Sequence, residues 1–362
     1  MNIQLATQQY DDWLRSVCTV HESDIAEKHR VMAKKDPFPF FRATYYRWLQ
    51  RWPEVCAHLQ DAPDVLAIGD LHVENFGTWR DADGRLVWGI NDLDEASTLP
   101  YTSDLVRLAA SAWFAKRSDA FDVKFAKLCQ WIVDGYRQGL ATPEPFVLEE
   151  RHAELRTIAM AEERNPVDFW AKTTEVLTEP SIEPPADAKV TLLASLPSEG
   201  LSIQFRFRGK VGKGSLGKPR YVALAEWAGG WVARECKAKT PPSAAWAFAN
   251  GDLTSRVEES NAIAIRCPDP FFQAEGNWIV RRLSPRCSPV ELDQIANAAD
   301  LQTLFQSMGV ETANIHLGSS EVKDAILADL DMRPADWLET SARDMAKAIR
   351  NDWSEWRSTY DG

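Results

Sequence analysis

The sequence predicts an α+β chain of two unequal parts, a small antiparallel β lobe set against a larger helical lobe. Three observations predict it. Residues 203–237 read as three consecutive strands, whereas the segments before 178 and after 290 carry helical patterning. The run Thr178 to Ala186, with Pro180, Pro184 and Pro185, separates the two patterns. The chain is also long, at 362 residues, and its 45% apolar content supports a substantial core. The expected division is 1–188 for the first part of the helical lobe, 189–285 for the β lobe, and 286–362 for helices that complete the helical lobe.

In chain order, residues 5–33 read as helical. Asp36 to Arg42, with Pro37 and Pro39, is expected to break that helix. Ala43 to Gln50 is helical again and brings Tyr45, Tyr46 and Trp48 as a packing platform, with Arg42 at its edge as a candidate contact for an anion. Val65 to Ile68 is a short buried strand leading into Gly69-Asp70-Leu71-His72-Val73-Glu74-Asn75-Phe76-Gly77. Asp81-Ala82-Asp83-Gly84 is hairpin-turn chemistry, and the strand after it, Arg85 to Gly89, delivers Asp92 and Asp94. Ser103 or Asp104 can cap a helix that runs through Trp113, and residues 120–140 and 145–177 are helical. Beyond the Pro-rich break come strands Ile203 to Val211, Tyr221 to Trp227 and Trp231 to Lys237. Pro241 and Pro242 start a helix that runs past Glu258 and Glu259; a strand follows at 277–283, then helices to the end, with His316 as a structural residue.

The balance of 41 basic against 53 acidic residues, a formal charge of −12, argues against wrapping nucleic acid or an anionic membrane. The six cysteines form no C-x-x-C, no signal peptide is recognised, and no apolar run is long enough to span a bilayer. Reduced thiols and a cytoplasmic location are therefore expected.

Asp70 and Asn75 stand five positions apart in a loop, with Asp92 and Asp94 following a hairpin. That arrangement suits phosphoryl transfer, in which one Asp accepts the proton of an attacking hydroxyl while an Asn and a second Asp hold Mg²⁺ against nucleotide phosphates. The same Asp and Asn would also serve to cap a turn. Gly212-Lys213-Gly214-Ser215-Leu216-Gly217 spells G-x-G-x-x-G between two strands, the arrangement that covers a triphosphate with backbone N–H groups. A plain Gly-rich hairpin is the alternative. From Phe205 to Arg220 the chain carries Arg206, Arg208, Lys210, Lys213, Lys218 and Arg220 and no acid, unusual in so acidic a chain. Lys237, or Lys239 two residues on, is the candidate strand lysine for the phosphates, with Glu258 or Glu259 to orient it.

The blocks Gly69 to Gly77, Asn91 to Ala96, Asp104 to Ala110, Gly212 to Tyr221 and Trp278 to Leu283 resemble an uncharacterised bacterial family, domain of unknown function 2252. That family resembles protein kinases and aminoglycoside phosphotransferases. The resemblance implies Asp70 as the catalytic-loop base, Asn75 and Asp92 as metal ligands with Asp94 beside them, Asp104 as a prop for the loop, and Lys237 as the strand lysine. Kinases place the glycine loop and lysine before the catalytic Asp, whereas here they follow it, so the implied fold is a circularly permuted kinase-like one. The expected function is an ATP- and Mg²⁺-dependent phosphotransferase acting on a hydroxyl of an unidentified small molecule or protein. A nucleotide-binding pseudokinase or an adenylyl-transferring relative is the alternative. A two-metal phosphoesterase, suggested by the D-x-H of Asp70 and His72, ranks third because the chain has only six histidines.

Overall fold

The computed structural model describes residues 1–115, 122–149, 151–160, 165–176, 182–208, 217–249, 252–285, 287, 292, 295, 297–319 and 321–360. The architecture is α+β. Helices α1 (Ile3–Val17) and α2 (Glu22–Met32) replace the single helix expected over 5–33, because the backbone turns extended at Cys18. Helix α3 (Pro37–Ala43) occupies the run expected to break helix. Pro37 stands at its first position, where a missing N–H costs nothing, and Asp36 caps it by accepting from Phe38 N. Helix α4 (Tyr45–Val55) follows.

Four short strands come next: β1 (Asp64–Ala67), β2 (Phe76–Arg80), β3 (Leu86–Ile90) and β4 (Ser97–Pro100). They form two antiparallel pairs, β1 with β4 and β2 with β3. Strand β4 was not anticipated; it is too short for a period to be legible. Helices α5 (Tyr101–Ala115), α6 (Phe125–Ala141), α7 (Ala153–Met160) and α8 (Pro166–Val176) follow, the last two dividing the span expected to be helical over 145–177. Helix α9 (Ala186–Ala194) begins where the Pro-rich break ends.

The third sheet is five-stranded and antiparallel. It comprises β5 (Ile203–Phe207), β6 (Arg220–Trp227), β7 (Gly230–Ala238), β8 (Gln273–Glu275) and β9 (Trp278–Leu283), in the order β5-β6-β7-β9-β8. Between β7 and β8 lie two short helices, α10 (Ser243–Ala247) and α11 (Val257–Ile263), rather than the one expected from 241 past 259. Helices α12 (Ala298–His316), α13 (Lys323–Met332) and α14 (Trp337–Tyr360) close the chain.

The main core lies among the helices and the first two sheets, around Trp48, Trp88, Tyr101, Tyr136 and Phe305. Helices α6 and α12 pack closely at Gly135, where a Cβ would come within 2.0 Å of the Gln306 carbonyl oxygen. Distant segments of the chain meet in this body: Asp352 of α14 accepts from Arg47 and Arg51 of α4 at 2.9 and 2.7 Å.

The five-stranded sheet has two unlike faces. On one, Tyr221, Ala223, Cys236 and Val280 pack under Ala188 and Leu192 of α9. On the other, Val222, Leu224 and Ala233 pack with Trp170 of α8. The pairing of Arg220 with Lys237 and of Glu235 with Arg281 puts a second, charged patch on that same face. This patch meets the loops after β1 and β3.

Candidate functional site

The loop after β1 is held by its backbone. Asp104 of α5, completely buried, accepts from Ile68 N at 2.7 Å and Gly69 N at 3.0 Å. Its second oxygen also meets His316 Nε2 at 2.9 Å, and the other ring nitrogen meets Tyr136 Oη at 2.8 Å. Asp104 therefore props the loop rather than capping α5, and His316 is a buried structural residue. Gly69 has φ +87°, and a Cβ there would lie 2.4 Å from the Glu95 carbonyl oxygen. Only glycine lets the two loops pass this closely.

The loop presents Asp70 at the edge of a cavity. Its carboxylate accepts from Arg107 Nε at 3.0 Å. Arg107 is fully buried and lies over the rings of Phe41 and Tyr45, at 4.1 and 4.6 Å. Burial pushes the Asp70 carboxyl up, with Arg107 opposing.

Asn75 joins the two loops. Its Nδ2 donates to the Asp92 carbonyl at 3.0 Å, and its Oδ1 accepts from Asp92 N at 3.0 Å. Asp92 and Asp94 then converge on one cation, the ammonium of Lys237 on β7, which is 3.0 Å from Asp92 Oδ2 and also pairs with Asp94. Lys237 is 1% exposed. Burial works against the Asp92 anion, but Lys237, a hydrogen bond with Asp94 and the charges of Arg281 and Arg220 together outweigh it and hold the carboxyl well below the usual range. Burial and the neighbouring Asp92 charge push Asp94 up to about 6.

A second tie runs between sheet and loops. Lys218, buried just before β6, donates to Glu95 Oε1 at 3.0 Å, and Glu95 Oε2 accepts from Ser243 N. Arg42 pairs with Glu74 at the same opening. The cavity so formed is about 200 Å³, with Asp70, Asn75, Asp92, Asp94, Lys218 and Arg281 in its wall.

The sequence-predicted residues Asp70, Asn75, Asp92, Asp94 and Lys237 thus meet in one place. Gly212, Lys213, Gly214 and Ser215 lie outside the described residues; Gly217 is described, with φ +99°. Glu258 is elsewhere. It bonds Lys239 at 2.7 Å at the surface, and Glu259 bonds Arg256. The reason is local: Lys239 has passed the end of β7, and α11 lies beside that end rather than over the strand's centre. Sequence reasoning missed Arg107, Glu95 and Arg281. It also missed Glu235, a 1% exposed acid shared by Arg208, Arg220 and Arg281. A charged residue inside an apolar helix (Arg107) and an acid two before Lys237 on a strand (Glu235) were the signals available.

Among the described residues no group of three or more His, Cys, Asp and Glu is placed to hold a metal ion. His72 Nδ1 accepts from Glu74 N at 3.2 Å. The two carboxylates facing Lys237, with the Asn75 amide oxygen nearby, are a hard-oxygen set of the kind that holds Mg²⁺ when phosphate and water oxygens complete the shell.

Comparison with known proteins gives one match. Residues 21–178 match the family described as "Uncharacterized protein conserved in bacteria (DUF2252)", which supports the resemblance drawn from the sequence. No curated protein and no solved structure matches the chain. Among the described residues no helix is long and apolar enough to cross a membrane.

Proposed function

We propose that the chain is an ATP- and Mg²⁺-dependent, phosphotransferase-like enzyme on a two-lobed, circularly permuted kinase-like fold, acting on a hydroxyl acceptor. One observation carries the reading. Lys237 lies 145 positions from Asp92 in the chain, yet its ammonium is 3.0 Å from that carboxylate, beside Asp70 and Asn75. A buried lysine on a central strand, close to an acid pair and a loop Asp, brings together the kinds of group that phosphoryl transfer uses for the phosphates, the metal and the acceptor proton.

In this reading Asp70 takes the proton of the acceptor hydroxyl. Burial favours its neutral form, so its basicity is raised above that of an ordinary aspartate. Arg107 keeps its carboxylate oriented. Asn75 fixes Asp92 through two hydrogen bonds to its backbone, and Asp92 and Asp94 would hold Mg²⁺. The metal, when bound, neutralises phosphate charge. Lys237 and the Gly212 to Gly217 segment are the residues that would bind the phosphates.

The test is Asp70→Asn. ATP consumption with a hydroxyl acceptor should fall about 10²–10⁴-fold while ATP affinity stays nearly unchanged. Because the folded Asp70 pKa is raised, its base form is lost as pH falls through that raised value, and the acid limb of the rate profile should lie above the ordinary aspartate range. Equal turnover by parent and variant would remove Asp70 from the reaction. Calorimetry that detects no ATP binding at millimolar concentration would remove the reading altogether.

A further inference from the structure

Beside the Asp70 cavity lies a second one of about 330 Å³, sharing Asn91, Asp94, Arg220 and Arg281 with it. Arginines dominate its wall: Arg208, Arg220, Arg266, Arg281 and Arg282. The carboxylates there are Asp94, Glu235 and Asp269. Asp94 is already held by Lys237, and Glu235 is divided among three guanidiniums, with Arg220 at 3.2 Å and Arg281 at 3.0 Å. Burial pushes Asp269 toward its neutral form. Glu311, which faces Arg266 from behind, narrows the cationic excess without removing it, since burial also pushes its carboxyl up. A protein of net charge −12 has thus gathered surplus positive charge in a hollow.

That surplus is costly unless something shares it. Three buried donors, Nε of Arg220, Arg266 and Arg282, have no partner among the described residues. Two of these side chains are held by their faces. Arg266 lies over Trp79 at 4.5 Å and Arg282 over Phe271 at 4.3 Å. The Nη2 of Arg266 already donates to the Ile90 carbonyl at 2.8 Å and that of Arg282 to the Arg80 carbonyl at 3.4 Å, so the unpartnered Nε is what each stacked guanidinium still has to offer a phosphate oxygen.

We infer that this cavity binds a phosphate chain of two or more phosphoryl groups, supplied by a nucleotide or by free inorganic polyphosphate. The inference stands on the arginines and does not need the phosphotransferase reading, which stands on Asp70, Asp92 and Lys237.

Calorimetry of the full chain with inorganic tripolyphosphate, without Mg²⁺, tests it. The parent should bind. Arg266→Gln and Arg282→Gln should each weaken binding tenfold or more, with thermal melting used to check that both remain folded. Arg350→Gln, a change at an exposed arginine, should leave affinity unchanged, and Asp92→Asn should not weaken it. If Arg282→Gln fails to fold, Arg282→Lys, which keeps the charge but loses the paired donors, should weaken binding as well. Absence of binding at millimolar concentration overturns the inference, as does an equal loss in Arg350→Gln. Added ATP that displaces tripolyphosphate identifies a nucleotide as the source of the chain; simultaneous binding identifies a separate phosphate ligand. A parent that binds tripolyphosphate but does not bind ATP with Mg²⁺ at millimolar concentration would refute the phosphotransferase reading and leave this one standing.

Discussion

Asp70 and Glu235 are both acids paired with arginine at the same cleft, yet their proton affinities move in opposite directions. Burial opposes the charged form of each. Asp70 has one close guanidinium, Arg107, and burial prevails, so its carboxyl is pushed up. Glu235 has three, Arg208, Arg220 and Arg281, and together they prevail, so its carboxyl is driven far below the ordinary range. The number of cations decides whether a buried acid can accept a proton or is locked as an anion. The loop side of the cleft thus keeps an acid able to take a proton. The sheet side fixes an anion and has cationic charge to spare for a ligand.

The largest way to break the comparison is Glu235→Gln. It leaves three guanidiniums facing one another without their shared acid and should destabilise the protein by about 3–5 kcal/mol in urea unfolding. Because the folded Glu235 pKa is lowered, its contribution is full above the usual value of 4.5 and drains away as pH falls. The parent's acid-side loss of stability should therefore be shallower in the variant. A change under 1 kcal/mol would mean that Glu235 does not hold the arginines together.

Arg107→Met is the matching change at Asp70 and should cost less, about 2 kcal/mol, because Asp70 can take a proton instead of remaining an unpaired charge. Removing a group that lowers the Asp70 pKa raises it further, so the acid limb of ATP consumption should move to higher pH. A limb that stays in place would uncouple Arg107 from Asp70.

The smallest effect is expected for Lys239→Ala. Its bond to Glu258 lies at the surface, with the glutamate side chain 55% exposed, and should be worth no more than about 0.5 kcal/mol. Turnover should be unchanged. A Lys239→Ala protein that lost ATP consumption while Lys237→Ala kept it would exchange the roles of the two lysines.

Much of the cleft was legible in the sequence because its parts are local. The strand–loop from Val65 through Asn75, the hairpin to Asp92 and the lysine ending a strand each declare themselves within a few residues, since strand alternation and turn chemistry act at that range. The helix breaks were harder. Pro37 starts a helix because of its position relative to Asp36, and the run from 5 to 33 divides at Cys18, which composition does not mark. The short strands β4 and β8 exist because neighbouring strands pair with them, not because four or three residues carry a period.

What the sequence determined by itself was the set of chemical groups and the α+β order in which they are strung. Tertiary structure decided the pairings, of which the family resemblance had anticipated Asp104 propping the Asp70 loop. Lys237 meets Asp92 and Asp94, Lys218 meets Glu95, and Asp104 meets both the Asp70 loop and His316 through contacts between distant segments. The same holds for the three arginines around Glu235: Arg220 on β6 and Arg281 on β9 flank β7 through the sheet register, and Arg208 lies just past the end of β5. Charge and hydrogen-bonding partners within a cleft depend on distance in space. The chain carries that information only in the sum of its packing, so no stretch read alone could have supplied it.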